Sequence, residues 1–234
     1  FTDESIAALR NHHRREPEKP LMLYVAFPSP HTPWLPSEPY KGRSGAGLYG
    51  DFVTMVDAMV GRILSALDET GMADNTIVLF MSDNGPVWYD RDVDRFGHDS
   101  AGGWRGMKGD AWEAGHRMPF IVRWPGKVAA GAASSQLICF TDLLATLADL
   151  HGLDLPPNGG EDSISFLPVL LNEKCRAKSL RRTFIMRAGG AHFAVRKGPW
   201  KLITRLGSGG FSKPRNRKPQ PGGPEGQLYN LDND

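Results

Sequence analysis

Apolar positions recur with two periods along this chain, and the changes of period mark its elements. Residues 2–15 place Ile6, Ala7 and Leu9 on one side and end in His12, His13, Arg14 and Arg15. That is a helix with cations at the end its dipole favours. Pro17 and Pro20 stop it. Residues 21–27 (LMLYVAF) form an unbroken apolar run, the pattern of a strand covered on both faces. Four prolines between 28 and 37 then forbid regular structure. Residues 48–70 follow a helical period through Phe52, Val56, Met59, Ile63 and Leu67, with Gly71 as the stop. TIVLFMS (76–82) is a second buried-strand run. Strand, long helix, strand predicts a right-handed crossover and parallel pairing.

Residues 86–116 read as loop, rich in glycine and charge. MPFIVRW (118–124) is a third strand, ended by Pro125-Gly126. The spacing predicts a helix over 141–151, capped by Thr141 or Asp142 and stopped at Gly152. Beyond about residue 155 the runs shorten, with strands expected at 183–187, 192–196 and 200–204 and a Lys-Gly-Pro turn among them. Residues 205–226 form a basic loop rich in Gly and Pro, and the ending LYNLDND reads as polar, without strand or helix. The expected fold is α/β, a mostly parallel sheet flanked by helices with a small C-terminal antiparallel lobe. Residues 1–155 make the first part and 156–234 the second. Phe1 and the polar ending read as cuts in a longer protein, with no signal segment.

Composition narrows the function classes. The chain has 234 residues, 40% of them apolar, enough for a packed core. A net charge of +2 points to neither a nucleic-acid nor a membrane partner. No apolar run is long enough to cross a bilayer, so a soluble chain is expected. Cys139 and Cys175 set no disulfide framework, and Cys139, in the run LICF, is expected to be a buried thiol.

In an open parallel sheet, ligands gather beyond the carboxyl ends of the strands. That rule selects His31, after strand 21–27, and Asp83-Asn84, after strand 76–82. Asp83 and Asn84 offer two hard oxygen donors, half of a Ca²⁺ or Mg²⁺ site; an ordinary Asp-Asn-Gly turn fits as well. His31, between Pro30 and Pro33, suits a hydrogen-bond donor or general acid toward an anion, or a capped surface histidine. Lys108 lies among glycines that let the backbone approach a ligand, where an ammonium can hold an oxyanion. Glu113 and Arg117, four apart, read as a structural ion pair. His12 and His13 are assigned to a solvated helix end, His151 to the end of helix 141–151 and His192 to the small sheet. His98 is kept as a pocket candidate. The cations Lys213, Arg215, Arg217 and Lys218 read as a solvated hairpin tip or as a guide for acidic or sulfated substrates.

Four stretches in this order resemble the sulfatases: LYVAFPSPHTPWLP, NTIVLFMSDNG, WRGMKGDAWEAGHRMPFIVRWPG and KLI…QLYNLDND. The likeness runs from about residue 20 to the end and points to the formylglycine-dependent arylsulfatase branch of the alkaline phosphatase superfamily. It implies an alkaline-phosphatase-like fold, incomplete here, and sulfuric ester hydrolysis on a small-molecule or glycan substrate. It also implies that Asp83 and Asn84 ligate Ca²⁺ or Mg²⁺. His31 would contact the sulfate ester and assist the leaving group, and Lys108 would bind the sulfate oxygens. The family usually has E-G-G-x-R-V-P where this chain has EAGHRMP, so Ala114 and Met118 depart mildly. No C/S-x-P-x-R motif is present. The formylglycine nucleophile, the paired aspartates of the metal site and an upstream lysine and histidine are therefore expected in a missing N-terminal half, leaving this chain inactive alone. The resemblance further implies a periplasmic or secreted parent protein. Two other readings fit part of the pattern: a phosphomonoesterase or phosphodiesterase of the same superfamily, and a non-catalytic glycan-binding relic.

Overall fold

Helical periodicity translates directly into structure. In the computed structural model, which describes residues 1–171 and 179–233, α1 spans Thr2–Arg15 and α2 spans Gly47–Glu69. Phe52, Val56 and Leu67 of the expected stripe are buried. Gly71 (φ 68) ends α2: its N–H bonds the Asp68 carbonyl and that of Met72 bonds Leu67, the Schellman pattern. The helix α3 covers Asp90–Phe96.

The strands are β1 (Val78–Met81), β2 (Phe120–Arg123), β3 (Thr183–Arg187), β4 (Phe193–Lys197), β5 (Trp200–Ile203) and β6 (Gln227–Asn230). Helices α4 (Asp142–Leu150) and α5 (Leu167–Leu170) lie between β2 and β3. Thr141 stands at the N-cap of α4, and Asp142, its first residue, accepts the Cys139 N–H through its side chain. That Asp142 carboxylate is buried and pairs with buried Arg181.

Two compact units result. One comprises residues 1–77 and 88–99 and holds α1, α2 and α3; the other comprises 78–87 and 100–234 and holds β1 to β6. In the second, β1 pairs antiparallel with β2, with Val78 opposite Arg123 and Met81 opposite Phe120. The order β3-β4-β5-β6 makes an antiparallel meander, as expected for the C-terminal sheet.

Four expectations are corrected. Residues 21–27 adopt no strand, and Met22 and Tyr24 are each 82% exposed. A run apolar on both faces needs sheet neighbours on both edges, and none accompanies it among the described residues. The expected parallel pair is therefore absent there; the chain between β1 and β2 has no long crossover helix, so β2 returns in the opposite direction. The polar ending is ordered as β6, which completes the meander. Cys139 is half-buried rather than buried; Cys175 lies outside the described residues.

One face of the meander presents Met186, Ala194 and Ile203 to Ala111 and Trp112, which belong to the loop that carries Lys108. The other face exposes Ile185, Leu202 and Leu228, which align across the strands.

Candidate functional site

β1 runs into Ser82-Asp83-Asn84-Gly85, where the Ser82 hydroxyl donates to the Asn84 carbonyl (3.1 Å). Gly85 is buried and its N–H donates to the Gly115 carbonyl (3.3 Å). A Cβ at Gly85 would lie 1.7 Å from the Ala114 carbonyl oxygen, so no other residue fits without moving the loop. The Lys108 N–H donates to the Pro86 carbonyl (2.8 Å). The Asp83-Asn84 loop and the Lys108 loop are thus stitched together twice. Asp83 is exposed, while Asn84 and Lys108 are half-buried. Among the described residues nothing pairs with the carboxylate of Asp83, the side-chain amide of Asn84 or the ammonium of Lys108.

What holds these loops is a set of buried polar groups. Asp110, fully buried, accepts the Met107 N–H (2.9 Å) on one oxygen and the Ser212 N–H (3.1 Å) on the other. Glu113 bonds Lys201 Nζ through one oxygen and Arg117 Nε through the other, both at 2.7 Å. The expected Glu113–Arg117 pair is present, and Lys201 joins it from β5 with a side chain only 1% exposed. Burial raises the Glu113 pKa, but the two cations outweigh it and hold the carboxyl below its ordinary value. Burial lowers Lys201, which also feels Arg196 and Arg117 against a single carboxylate. His116 closes the cluster. Burial first, then Lys201, pushes its imidazole down to about 4, and its Nε2 is buried without a partner among the described residues. Arg105 stacks on Trp112 and Arg117 on Trp104, each 3.8 Å from the ring centroid.

His31 belongs to the other unit. Its ring is exposed, and Nδ1 lies 2.7 Å from the Thr32 carbonyl. A carbonyl only accepts, so Nδ1 carries the proton and Nε2 is left for a ligand. Trp34, three residues on, packs against Tyr49 and Trp88 (5.5 and 6.3 Å). His98 is exposed, at the edge of Trp88. His12 bonds the Lys19 carbonyl, His151 caps α4, and His192 is buried beside β4 against the Leu206 carbonyl. Asp83, Asn84 and Lys108 are therefore gathered on one unit, and His31 stands on the other.

As a cation site the donors are chemically apt and numerically short. Asp83 and Asn84 supply oxygens, which suit Ca²⁺ or Mg²⁺. No group of three or more His, Cys, Asp or Glu residues able to hold a metal occurs among the described residues, so further ligands are needed.

Comparison with known proteins decides the family: the sulfatase family model matches residues 1–153. The chain belongs to the sulfatase family. An N-acetylgalactosamine-6-O-sulfatase of Bacteroides thetaiotaomicron is 37% identical over 191 residues, which cover 80% of this chain and 37% of that protein. An arylsulfatase of Hemicentrotus pulcherrimus is 35% identical over 205 residues, 88% of this chain and 35% of that one. A structure solved in work on the metabolism of multiple glycosaminoglycans by B. thetaiotaomicron matches with a TM-score of 0.82 and 32% identity, covering 99% of this chain and 47% of the other. This sulfatase chain thus has an alkaline-phosphatase-like fold with a small C-terminal antiparallel lobe, and spans less than half the length of these relatives. Within it, Lys201, Asp110 and His116 carry the Lys108 loop, yet none stands out in sequence. Lys201 sits inside the apolar run WKLI, the only available hint.

Proposed function

We propose that this chain is the C-terminal part of a sulfuric ester hydrolase acting on a sulfated glycan or a small aryl sulfate. The carrying observation is the double stitch that holds unpaired Asp83, Asn84 and Lys108 on one rigid pair of loops. Family membership and the names of the relatives support the reading. In this reading residues 1–155 belong to the catalytic domain and 156–234 form its small lobe. The parent protein is exported, so its activity should fractionate with the periplasm or the medium.

Lys108 holds the non-bridging sulfate oxygens as charge shifts onto the leaving group. When bound, Ca²⁺ or Mg²⁺ on Asp83 and Asn84 lowers the cost of an oxygen nucleophile and polarises the ester. We assign that nucleophile to a formylglycine in a preceding segment, because this sequence contains no C/S-x-P-x-R motif. As an oxygen–sulfur bond to that nucleophile forms, the S–O ester bond breaks; His31 Nε2 is assigned the transfer of a proton to the leaving oxygen, and Lys108 holds the oxygens of the transferred sulfuryl group. With nucleophile and remaining ligands elsewhere, the 234-residue chain alone has no turnover.

Peptide mass spectrometry of the intact protein tests the nucleophile: a C/S-x-P-x-R peptide with its first residue converted to formylglycine is expected. A Ser or Thr nucleophile outside that context would instead support phosphoester chemistry. Asp83→Ala in the intact protein should abolish both bound cation and aryl-sulfate hydrolysis with its melting temperature retained. Retained activity at normal metal content would overturn the ligand assignment.

A further inference from the structure

The basic stretch 205–226 contains a hairpin whose incoming limb is docked, while its cations are exposed. The Ser208 and Gly209 N–H groups donate to the Pro214 and Arg215 carbonyls (3.0 and 2.9 Å), and Leu206 bridges Arg217. Gly207, Ser208 and Gly210 are buried. The tip lies against the Lys108 loop. A Cβ at Gly210 would come within 2.2 Å of the Gly109 carbonyl group, and the Ser212 N–H bonds Asp110. The Ala111 N–H donates to the Ser208 carbonyl (2.7 Å). At the hairpin base, the Gln227 side-chain amide donates to the Arg205 and Gly207 carbonyls and accepts from the Trp112 indole.

The outgoing limb is different in kind. Lys213, next to the Asp110-bonded Ser212, and then Arg215, Arg217 and Lys218 are all exposed. No acidic residue occurs from 205 to 224, and among the described residues no carboxylate pairs with these four cations. Exposed cations beside carboxylates would be an ordinary solvated surface. Here four uncompensated cations are held by a backbone anchored to the residues that follow Lys108. A fixed array also costs a ligand less ordering than a free loop would.

Resting on the sulfatase reading above, we propose that this limb is a second anion-binding element. It selects glycan substrates that carry further sulfate or carboxylate groups beside the scissile ester. One ester satisfies Lys108; the limb engages charges farther along the same chain, and its field raises the local concentration of polyanions.

The test is binding of a fluorescently labelled chondroitin sulfate hexasaccharide to the intact protein at low salt, measured by polarisation. The comparison is with the Lys213→Ser, Arg215→Ser, Arg217→Ser, Lys218→Ser variant. The expected result is a Kd about tenfold weaker in the variant, a difference that fades in about 0.5 M salt. The kcat/KM ratio of the hexasaccharide to a monosulfated aryl ester should fall by a similar factor, with an unchanged melting temperature showing that the hairpin still folds. Equal Kd values would overturn the proposal. A labelled single-stranded DNA of equal charge that binds as tightly, and weakens equally in the variant, would overturn the glycan assignment. Failure to hydrolyse the aryl ester, with the Kd difference intact, would refute the sulfatase reading and leave the anion-binding element standing.

Discussion

Glu113 is the residue on which the Lys108 loop leans hardest. Its two partners make a quantitative contrast: Lys201 is 1% exposed and Arg117 40% exposed, at the same 2.7 Å. Glu113→Gln keeps an acceptor near both cations but removes the charge that lets Lys201 stay ionised in the interior. Stripping a buried ion of its partner costs about 3–5 kcal/mol. Losing an exposed pair costs about 0–1 kcal/mol, to which the Arg117 stack on Trp104 adds about 0.5–1 kcal/mol. Lys201→Met leaves Glu113 with Arg117 and should be milder than Glu113→Gln. The double variant should recover most of the loss, because an apolar replacement for a buried pair is close to neutral. Hydrogen-exchange mass spectrometry on the β4–β5 peptides reads this locally. A loss of about 4 kcal/mol speeds exchange about 10³-fold, against about tenfold for Arg117→Ala. The reasoning fails if Glu113→Gln speeds exchange less than tenfold, or if Arg117→Ala matches it.

Two further perturbations separate support from chemistry. His116 is held neutral, with its pKa pushed down from 6.5 to about 4, so the unfolded chain takes up that proton first as pH falls. The stability it provides is complete above pH 6.5 and declines toward pH 4 by about 3 kcal/mol. Urea titrations across that range should show the slope in the native protein and not in His116→Leu; an equal slope in both would refute the assignment. Gly85→Ala forces a methyl group against the Ala114 carbonyl oxygen and should cost about 1–3 kcal/mol while displacing Asp83 and Asn84. Calorimetry should then show both a lower melting temperature and weaker Ca²⁺ binding, unlike Asp83→Ala, which should affect only the latter. Native values of both for Gly85→Ala would show that the loop tolerates the shift.

How much of this was legible follows from what each element buries. α2 buries an apolar stripe through Phe52, Val56 and Leu67, a periodic signal, and α1 and α4 were legible from their stops and caps although their buried residues are mostly polar (Thr2 and Ser5; Asp142 and Thr146), so all three spans could be read within a residue or two. β1 and β2 were legible as apolar runs, but pairing direction depends on where the chain travels between them, which no local pattern records. The run at 21–27 shows the converse: the pattern of a central strand is a statement about neighbours, and residues 21–24 stay exposed where those neighbours are lacking. In β5 periodicity misleads. WKLI invites Trp200 and Leu202 into the core and Lys201 into water, yet Lys201 and Ile203 are buried while Trp200 and Leu202 are exposed. Glu113 decides that register, from 88 residues away, by giving the buried ammonium a partner. The same cause hid Asp110 and His116. Asp83, Asn84 and Lys108 announce themselves, because glycines or a strand end accompany them, whereas His31 was singled out by a strand that does not form. Those that hold them in place are polar, are buried through distant partners, and look in sequence like surface. Substitutions at Glu113 and Lys201 should therefore impair the site without touching any group assigned to chemistry, and catalytic loss at those two positions should scale with lost exchange protection.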